Sequence, residues 1–353
     1  MTPPFEVAAP ASDTERSRFR DILCECFCSP PERMQQSMER VGRDDVLLVR
    51  HGGEVLGGLF LLPFGQWFGG KRVPTIGIAA VGIAPEHRGT GAARALMLAA
   101  LRETQRRKVP LSTLYPATHT VYRSAGYELA GSYHTITVDT WGIPFRDRTL
   151  TMRSGSAADL PIMQELYQRV APDQPGWLDR SALIWQRRVD PWEKPPRIQL
   201  VFDGDEPVGY CCFLTEKHDS HHQTMRISDL VAATPAAARR LLTFIADHRS
   251  LVKTAIWNGP ANDPLLMCLP ERCYRIHVEV DWMLRIVDVV SAFSQRGYPR
   301  GLSAEVHLEV TDPDLTDNGG RFVLTVEAGT GRVEPGGEGH LRCTARGLAA
   351  LYT

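Results

Sequence analysis

The chain has little of what would place it in a membrane, in a disulfide scaffold or on a nucleic acid. No apolar run approaches the ~18 residues that a membrane-spanning helix needs. Its 353 residues carry 40 basic and 41 acidic side chains, a net charge of −1, which leaves no electrostatic footprint for DNA or RNA. Eight cysteines do not make a disulfide framework in a chain this long. Cys-x-x-Cys is absent, so the usual zinc-ribbon site has no basis. Cys24, Cys26 and Cys28 alternate along an expected helix, where they diverge, and read as small apolar side chains. His218, His221 and His222 have no partner motif; they read as a polar hairpin loop, and no metal is expected. Nucleotide fingerprints are missing too. There is no Gly-x-Gly-x-x-Gly with an acidic residue ~20 positions on, and no phosphate loop ending in Gly-Lys-Ser/Thr, which speaks against ATP or GTP chemistry. The opening residues Met1 to Glu6 lack a basic stretch leading into an apolar one, so the expected location is cytoplasmic.

What is present begins at Val81-Gly82-Ile83-Ala84-Pro85-Glu86-His87-Arg88-Gly89-Thr90-Gly91-Ala92-Ala93. An apolar strand runs into an Arg-x-x-Gly-x-Ala turn and then a helix. Gly89 and Gly91 keep side chains away from consecutive backbone N–H groups, and the helix adds the positive end of its dipole. Such a turn cradles an anion, most readily a pyrophosphate. The preceding strand changes parity: Ile76, Ile78 and Ala80 fall on even positions, Val81 and Ile83 on odd ones. A β-bulge produces that shift, and an unbulged buried strand is the other reading. Downstream, Ala93, Leu96, Met97, Ala100 and Leu101 recur at helical spacing.

A chain of this length holds two or three domains. An internal repeat divides it. Gly52-Gly53-Glu54-Val55-Leu56-Gly57 is echoed by Gly204-Asp205-Glu206-Pro207-Val208-Gly209, each ahead of an apolar strand. Ala84-Pro85 and its helix are echoed by Thr234-Pro235 and the helix after it, without the Arg-x-x-Gly-x-Ala turn. Two α/β halves are expected, one competent and one degenerate, linked near Trp141 to Arg146. Beyond Arg285, a helix from Ile286 to Arg296 closed by Gly297 leads into alternating strands at 305–310, 321–326 and 340–344, expected to be antiparallel.

A short strand Leu111 to Tyr115 precedes Thr120-Val121-Tyr122-Arg123-Ser124-Ala125-Gly126-Tyr127, a short helix ended by Gly126. Together with the Ala-Pro-Glu-His-Arg-Gly-Thr-Gly loop, this segment resembles the GNAT superfamily of acetyl-CoA-dependent N-acetyltransferases. Arg285-Ile286-Val287-Asp288-Val289-Val290 with Arg296-Gly297-Tyr298-Pro299 resembles the junction into the C-terminal domain of the Eis-type (enhanced intracellular survival) members. The likeness runs, with gaps, from about Phe27 to Thr353.

That resemblance implies an α/β architecture. Tandem GNAT-like mixed-sheet domains at 1–142 and 143–284 precede an α+β sterol carrier protein-like domain at 285–353. It implies acetyl-CoA as co-substrate, gripped by Arg88, Gly89, Thr90, Gly91 and Ala92. Backbone N–H groups around Val81 and Ile83 would polarise the thioester carbonyl. Tyr122 would protonate the departing thiolate, where the bland alternative is a packing tyrosine; Tyr127 reads as structural. The Arg88 side chain would reach a phosphate or cap the loop. The acceptor amine would sit near Phe27, with Trp67 and Phe68 as further aromatic candidates, while Glu25, Glu32 and Glu39 read as a solvated face. By the same likeness the acceptor is an aminoglycoside-like polyamine or a lysine side chain, and the assembly a homo-oligomer, expected to be hexameric. Bound lipid does not follow from the sterol carrier likeness. The competing expectation is a non-catalytic protein that binds acyl-CoA or lipid. In the family the chain's terminal carboxylate serves as base. This chain looks some tens of residues short of that end, so Thr353 is not given the role and its carboxylate is expected away from the first domain's cleft.

Overall fold

A computed structural model describes residues 5–189, 194–219 and 222–353. The first segment contains β1 (Glu6–Ala8), α1 (Asp13–Phe27), α2 (Pro31–Arg40), β2 (Val46–His51), β3 (Glu54–Phe68), β4 (Lys71–Ile83), α3 (Ala92–Arg106), β5 (Leu111–Leu114), α4 (His119–Arg123) and β6 (Glu128–Asp139). It is followed by β7 (Thr151–Gly155), α5 (Leu160–Val170), β8 (Leu178–Asp179), α6 (Ala182–Val189), β9 (Arg197–Asp203), β10 (Glu206–Lys217), β11 (Gln223–Ala232), α7 (Pro235–Asp247), β12 (Val252–Gly259), α8 (Pro264–Met267) and β13 (Tyr274–Ile286). The last segment has α9 (Val289–Gln295), β14 (Ala304–Thr311), β15 (Gly320–Glu327), β16 (Thr330–Pro335), β17 (Leu341–Thr344) and α10 (Ala345–Tyr352).

Two compact units result. One runs to Gly131 and adds Asp173–Ser181 and Trp282–Thr353; the other comprises Ser132–Pro172 and Ala182–Asp281. In the first unit β1 to β4 form an antiparallel run, β5 joins β4 in parallel, and the end of β13 pairs antiparallel with β5. Helix α3 covers this sheet with Leu96, Met97, Ala100 and Leu101, all fully buried, the stripe its spacing dictates. Helix α1 lies on the same sheet, where Phe19 meets Phe60 edge to face and Leu23 faces Gly82.

The second unit repeats that plan. Strands β9, β10 and β11 are antiparallel, β12 joins β11 in parallel, and α7 packs on them. Its sheet takes residues 134–139 of β6 against β12. The segment Trp141 to Arg146, expected as a linker, therefore lies inside this unit, and Ile143 is fully buried in its core. Alternation alone could not say that the end of β6 belongs to the later sheet.

The C-terminal sheet has the order β16-β15-β14-β17. Its β14–β17 pair is parallel, against the all-antiparallel expectation. The crossover through β15 and β16 brings the last strand back in the direction of the first, which period-two patterning does not reveal. Gly297 also differs from expectation. It does not end α9 in a left-handed turn; a Cβ there would lie 1.9 Å from the carbonyl oxygen of Gly69, so glycine is required because the β3–β4 hairpin tip passes against it. The Gly297 N–H donates to Phe68 O at 2.9 Å.

Candidate active site

Strand β4 carries the first element of the site. Its register to β3 moves from Phe60↔Ala79 to Gly58↔Gly82, so Ala80 and Val81 together face Leu59 alone. This is a β-bulge, and Ala80 adopts φ +52° to make it. Parallel pairing of β4 with β5 stops at Ile78↔Leu114, one residue before the irregularity begins. Beyond that point β4 pairs with no strand on its β5 side among the described residues. The Ala84 N–H donates to Leu56 O on β3 at 2.9 Å. Successive residues of a strand point their N–H groups to opposite sides, so the Ile83 amide and carbonyl face away from β3, into the gap. The Ile83 carbonyl there accepts from Arg88 Nε at 3.4 Å and from the Cys26 thiol at 3.4 Å.

The second element is the turn after β4. Gly89 and Gly91 adopt φ +78° and +93°, and side chains avoid both conformations. Gly91 is the N-cap of α3 and offers no side-chain cap. Among the described residues, no acceptor takes the backbone N–H of Gly89, Thr90, Gly91, Ala92, Ala93 or Arg94. These donors, together with the positive end of a 15-residue helix, form an anion cradle. The Thr90 hydroxyl is turned inward, donating to His87 O at 2.8 Å. The Arg88 guanidinium is likewise drawn back, to Ile83 O and to within 3.6 Å of Cys26 Sγ; it braces the bulged strand. In the second unit β11 has an irregularity of the same kind, between Cys212↔Asp229 and Phe213↔Ile227. Its following helix is capped by the Thr234 hydroxyl accepting from the Ala237 N–H, so an amide that could hold an anion is already used.

The third element is α4. Tyr122 is buried but for 7% of its surface, and among the described residues no group hydrogen-bonds its hydroxyl. Burial pushes its pKa above the usual tyrosine value, so it holds its proton at neutral pH. Tyr127 contrasts with it: fully buried, its hydroxyl is joined to Ser112 Oγ at 2.7 Å. The two rings meet edge to face at 6.4 Å.

The family models fit this arrangement. The one described as an Acetyltransferase (GNAT) domain matches residues 8–130, a second of the same description matches 176–286, and a Sterol carrier protein domain matches 289–353. A GCN5-related N-acetyltransferase from Anabaena variabilis is 39% identical, with a TM-score of 0.95 over 99% of this chain and 90% of that one. The chain belongs to the GCN5-related N-acetyltransferases. A second such enzyme, from Kribbella flavida, is 27% identical with a TM-score of 0.86 over 99% of this chain and 89% of that one. The N-acetyltransferase Eis of Mycobacterium tuberculosis is 28% identical over 91% of this chain and 79% of its own length. The chain thus joins two GNAT domains to a sterol carrier protein domain, and it is similar over most of its length to an Eis acetyltransferase.

The remaining expected residues of the acetyltransferase scatter. Phe27, at the end of α1, is 48% exposed. Phe68 is buried beneath Tyr352 and Arg296, so it lines no acceptor cleft. Trp67 donates its backbone N–H to Trp177 O at 2.8 Å, while its indole N–H is buried without a partner among the described residues. Glu25, Glu32 and Glu39 are exposed. Cys24 and Cys26 point apart on α1, and Cys28 caps it. His218 bonds Thr224, His222 bonds Asp219, and His221 lies outside the described residues. Among the described residues no group of three His, Cys, Asp or Glu side chains could hold a metal. Tyr352, next to the last residue, packs on Phe68 at the opposite end of β4 from the bulge. Sequence reading missed Cys26 as a neighbour of the bulge, because nothing local tells which strand a helical cysteine will face.

Proposed function

We propose that the first unit binds acetyl-CoA and transfers its acetyl group to a primary amine, of an aminoglycoside-like polyamine or of a lysine side chain. The observation that carries this reading is the run of unclaimed amides from Gly89 to Arg94, directly after a bulged strand whose partner has diverged. The pyrophosphate would lie on the amides of Gly89, Thr90, Gly91 and Ala92, with Arg88 bracing the loop. The thioester carbonyl would lie against the amides of Val81 and Ile83, which stabilise the oxyanion of the tetrahedral intermediate. The amine, having lost its ammonium proton to solvent, attacks the carbonyl carbon with its lone pair, a C–N bond forms, the nitrogen sheds a second proton to solvent, and the C–S bond breaks. The departing thiolate takes the Tyr122 proton, which solvent restores. Phe27 would contribute to the acceptor's surroundings.

Three coarser readings go with this. The chain is organised as 1–142, 143–284 and 285–353, the second part being catalytically degenerate because Thr234 caps its helix. A cytoplasmic location is supported by the eight cysteines, all of which are free. A hexameric assembly is supported by the Eis-type resemblance. The test of the central reading is thiol release from acetyl-CoA against a panel of amines. Amine-dependent release is expected, and its absence with every polyamine and lysine peptide would overturn the proposal.

A further inference from the structure

We propose that the sterol carrier protein-like domain positions the catalytic tyrosine, through a buried Arg285–Asp312 pair and the Arg346–Glu128–Arg123 chain. The proposal rests on the assignment of Tyr122 as the acid. Arg285 lies at the end of β13, opposite Ser112 of β5, and its side chain is completely buried. Nη2 donates to both oxygens of Asp312, each at 2.7 Å, Nη1 to Ile286 O at 3.0 Å, and Nε to Ala125 O at 3.2 Å. Asp312 also accepts from the amides of Asp314 and Leu315 and from Asn318 Nδ2. Asn318 in turn accepts the Val289 N–H at 2.8 Å. Every charge in this buried cluster is therefore spoken for, and a planar guanidinium so held cannot reorient.

The cluster reaches the turn that carries Tyr122. Ala125 is three residues beyond the tyrosine, and Gly126 sits at φ +81° with room for no side chain: a Cβ there would lie 2.7 Å from Arg285 Nε. The next residue, Tyr127, is tied to Ser112, the register partner of Arg285. Glu128 provides a second tie, accepting from Arg123 Nη2 at 2.7 Å on α4 and from Arg346 Nε at 2.8 Å on α10. A third joins Arg94 of α3 to Asp314 at 2.7 Å. Helix α4 has five residues, far below the length at which a helix orients itself. Its attitude is set by what grips its end, and two of those grips come from the C-terminal domain. Mere stabilisation needs no buried charge here; apolar residues of like volume serve as well.

The experiment is a double-mutant cycle between Asp312→Asn and Tyr122→Phe, with acetyl-CoA and the best amine of the panel. Asp312→Asn keeps the shape but weakens the hold on Arg285. The expected result is a kcat lower by about 10- to 100-fold, as for a misplaced reacting group, with the acetyl-CoA KM within about twofold, because the Gly89–Arg94 amides are untouched. In the Tyr122→Phe background the same change should cost nothing further. An equal fold-loss in both backgrounds, or a kcat for Asp312→Asn within twofold of the parent, overturns the proposal. A Tyr122→Phe enzyme of parental kcat instead sinks the tyrosine assignment itself, a separately readable failure. Should Asp312→Asn prove unfolded by circular dichroism, the exposed Arg346→Gln runs the same cycle with the same deciding outcomes.

Discussion

Tyr122 and Tyr127 stand five positions apart and touch, yet their hydroxyls have opposite fates. Ser112 holds one, and nothing among the described residues holds the other. Tyr122→Phe should therefore lower kcat by ~10²–10⁴-fold, the usual worth of general acid catalysis, while acetyl-CoA affinity changes by no more than about 1 kcal/mol. Tyr127→Phe should act chiefly on stability, lowering it by about 1–3 kcal/mol because the buried Ser112 hydroxyl loses its partner, with a loss of kcat far smaller than that of Tyr122→Phe; turnover and urea unfolding of the pair separate the roles. The pH profile follows from the same burial. A free amine titrates near ~10.4, so its reactive fraction grows with pH. Burial raises the Tyr122 pKa above the ordinary ~10, so the acid stays protonated over the same range. The rate should rise from pH 7 to 9 with no falling limb; a decline starting below pH 9 that is lost in Tyr122→Phe would show the tyrosine ionising too early. At Gly91, φ +93° strains any side chain, and a branched one would also stand between the amides and a phosphate. Gly91→Val should abolish acetyl-CoA binding by calorimetry, and unchanged affinity would count against the cradle.

At the scale of elements, α1 must lie flat on the bulged sheet to bring Cys26 to the Ile83 carbonyl. Its first turn is tied to β2 by a two-pronged pair, Arg50 Nε to Glu15 Oε1 and Nη2 to Glu15 Oε2, both 2.8 Å. The Arg50 hydrogen bond is the largest cause that holds the Glu15 pKa down at about 2. A carboxylate depressed in this way stabilises the fold fully above its unfolded value near ~4.3, and the contribution drains away as pH falls toward about 2. Glu15→Gln should thus destabilise by an amount between the ~1 kcal/mol of an exposed pair and the ~3–5 kcal/mol of a buried one. The difference from the parent should shrink when urea unfolding is repeated at pH 3 instead of pH 7; a gap that stays constant would mean the ion pair is not its source.

The molecule as a whole uses one plan twice, and on the proposed reading only the first copy binds acetyl-CoA. Both units have an antiparallel trio joined in parallel by a fourth strand, with an irregularity on the third. They part at the next turn, where Gly91 leaves amides open and Thr234 fills one. Acetyl-CoA should accordingly bind with a stoichiometry of one per chain, and a measured value of two would show the second copy to be competent. The hexamer proposed on family likeness predicts a light-scattering mass near six times 39.3 kDa at micromolar concentration; a monomer there would overturn it.

Much of the candidate site's backbone is legible in the sequence. The Arg-x-x-Gly-x-Ala turn, the parity shift that marked the bulge, and the tyrosine helix are local signals, written in residues that must adopt positive φ, alternate on a strand or repeat at helical spacing. The internal echo at Gly52 and Gly204 announced the duplicated plan for the same reason. What the tertiary structure alone decided concerns partners distant in sequence. Residues 134–139 pair with β12 in the second unit, β17 returns parallel to β14, and Gly297 is glycine because Gly69 passes against it. Arg88 turns toward the strand, and Phe68, expected near a substrate, is buried under Tyr352. The Arg285–Asp312 pair joins residues 27 positions apart to a carbonyl 160 positions away. A sequence records what each stretch prefers by itself; contacts of that reach exist only once the chain has closed on them, where burial removes water as the competing partner of each charge.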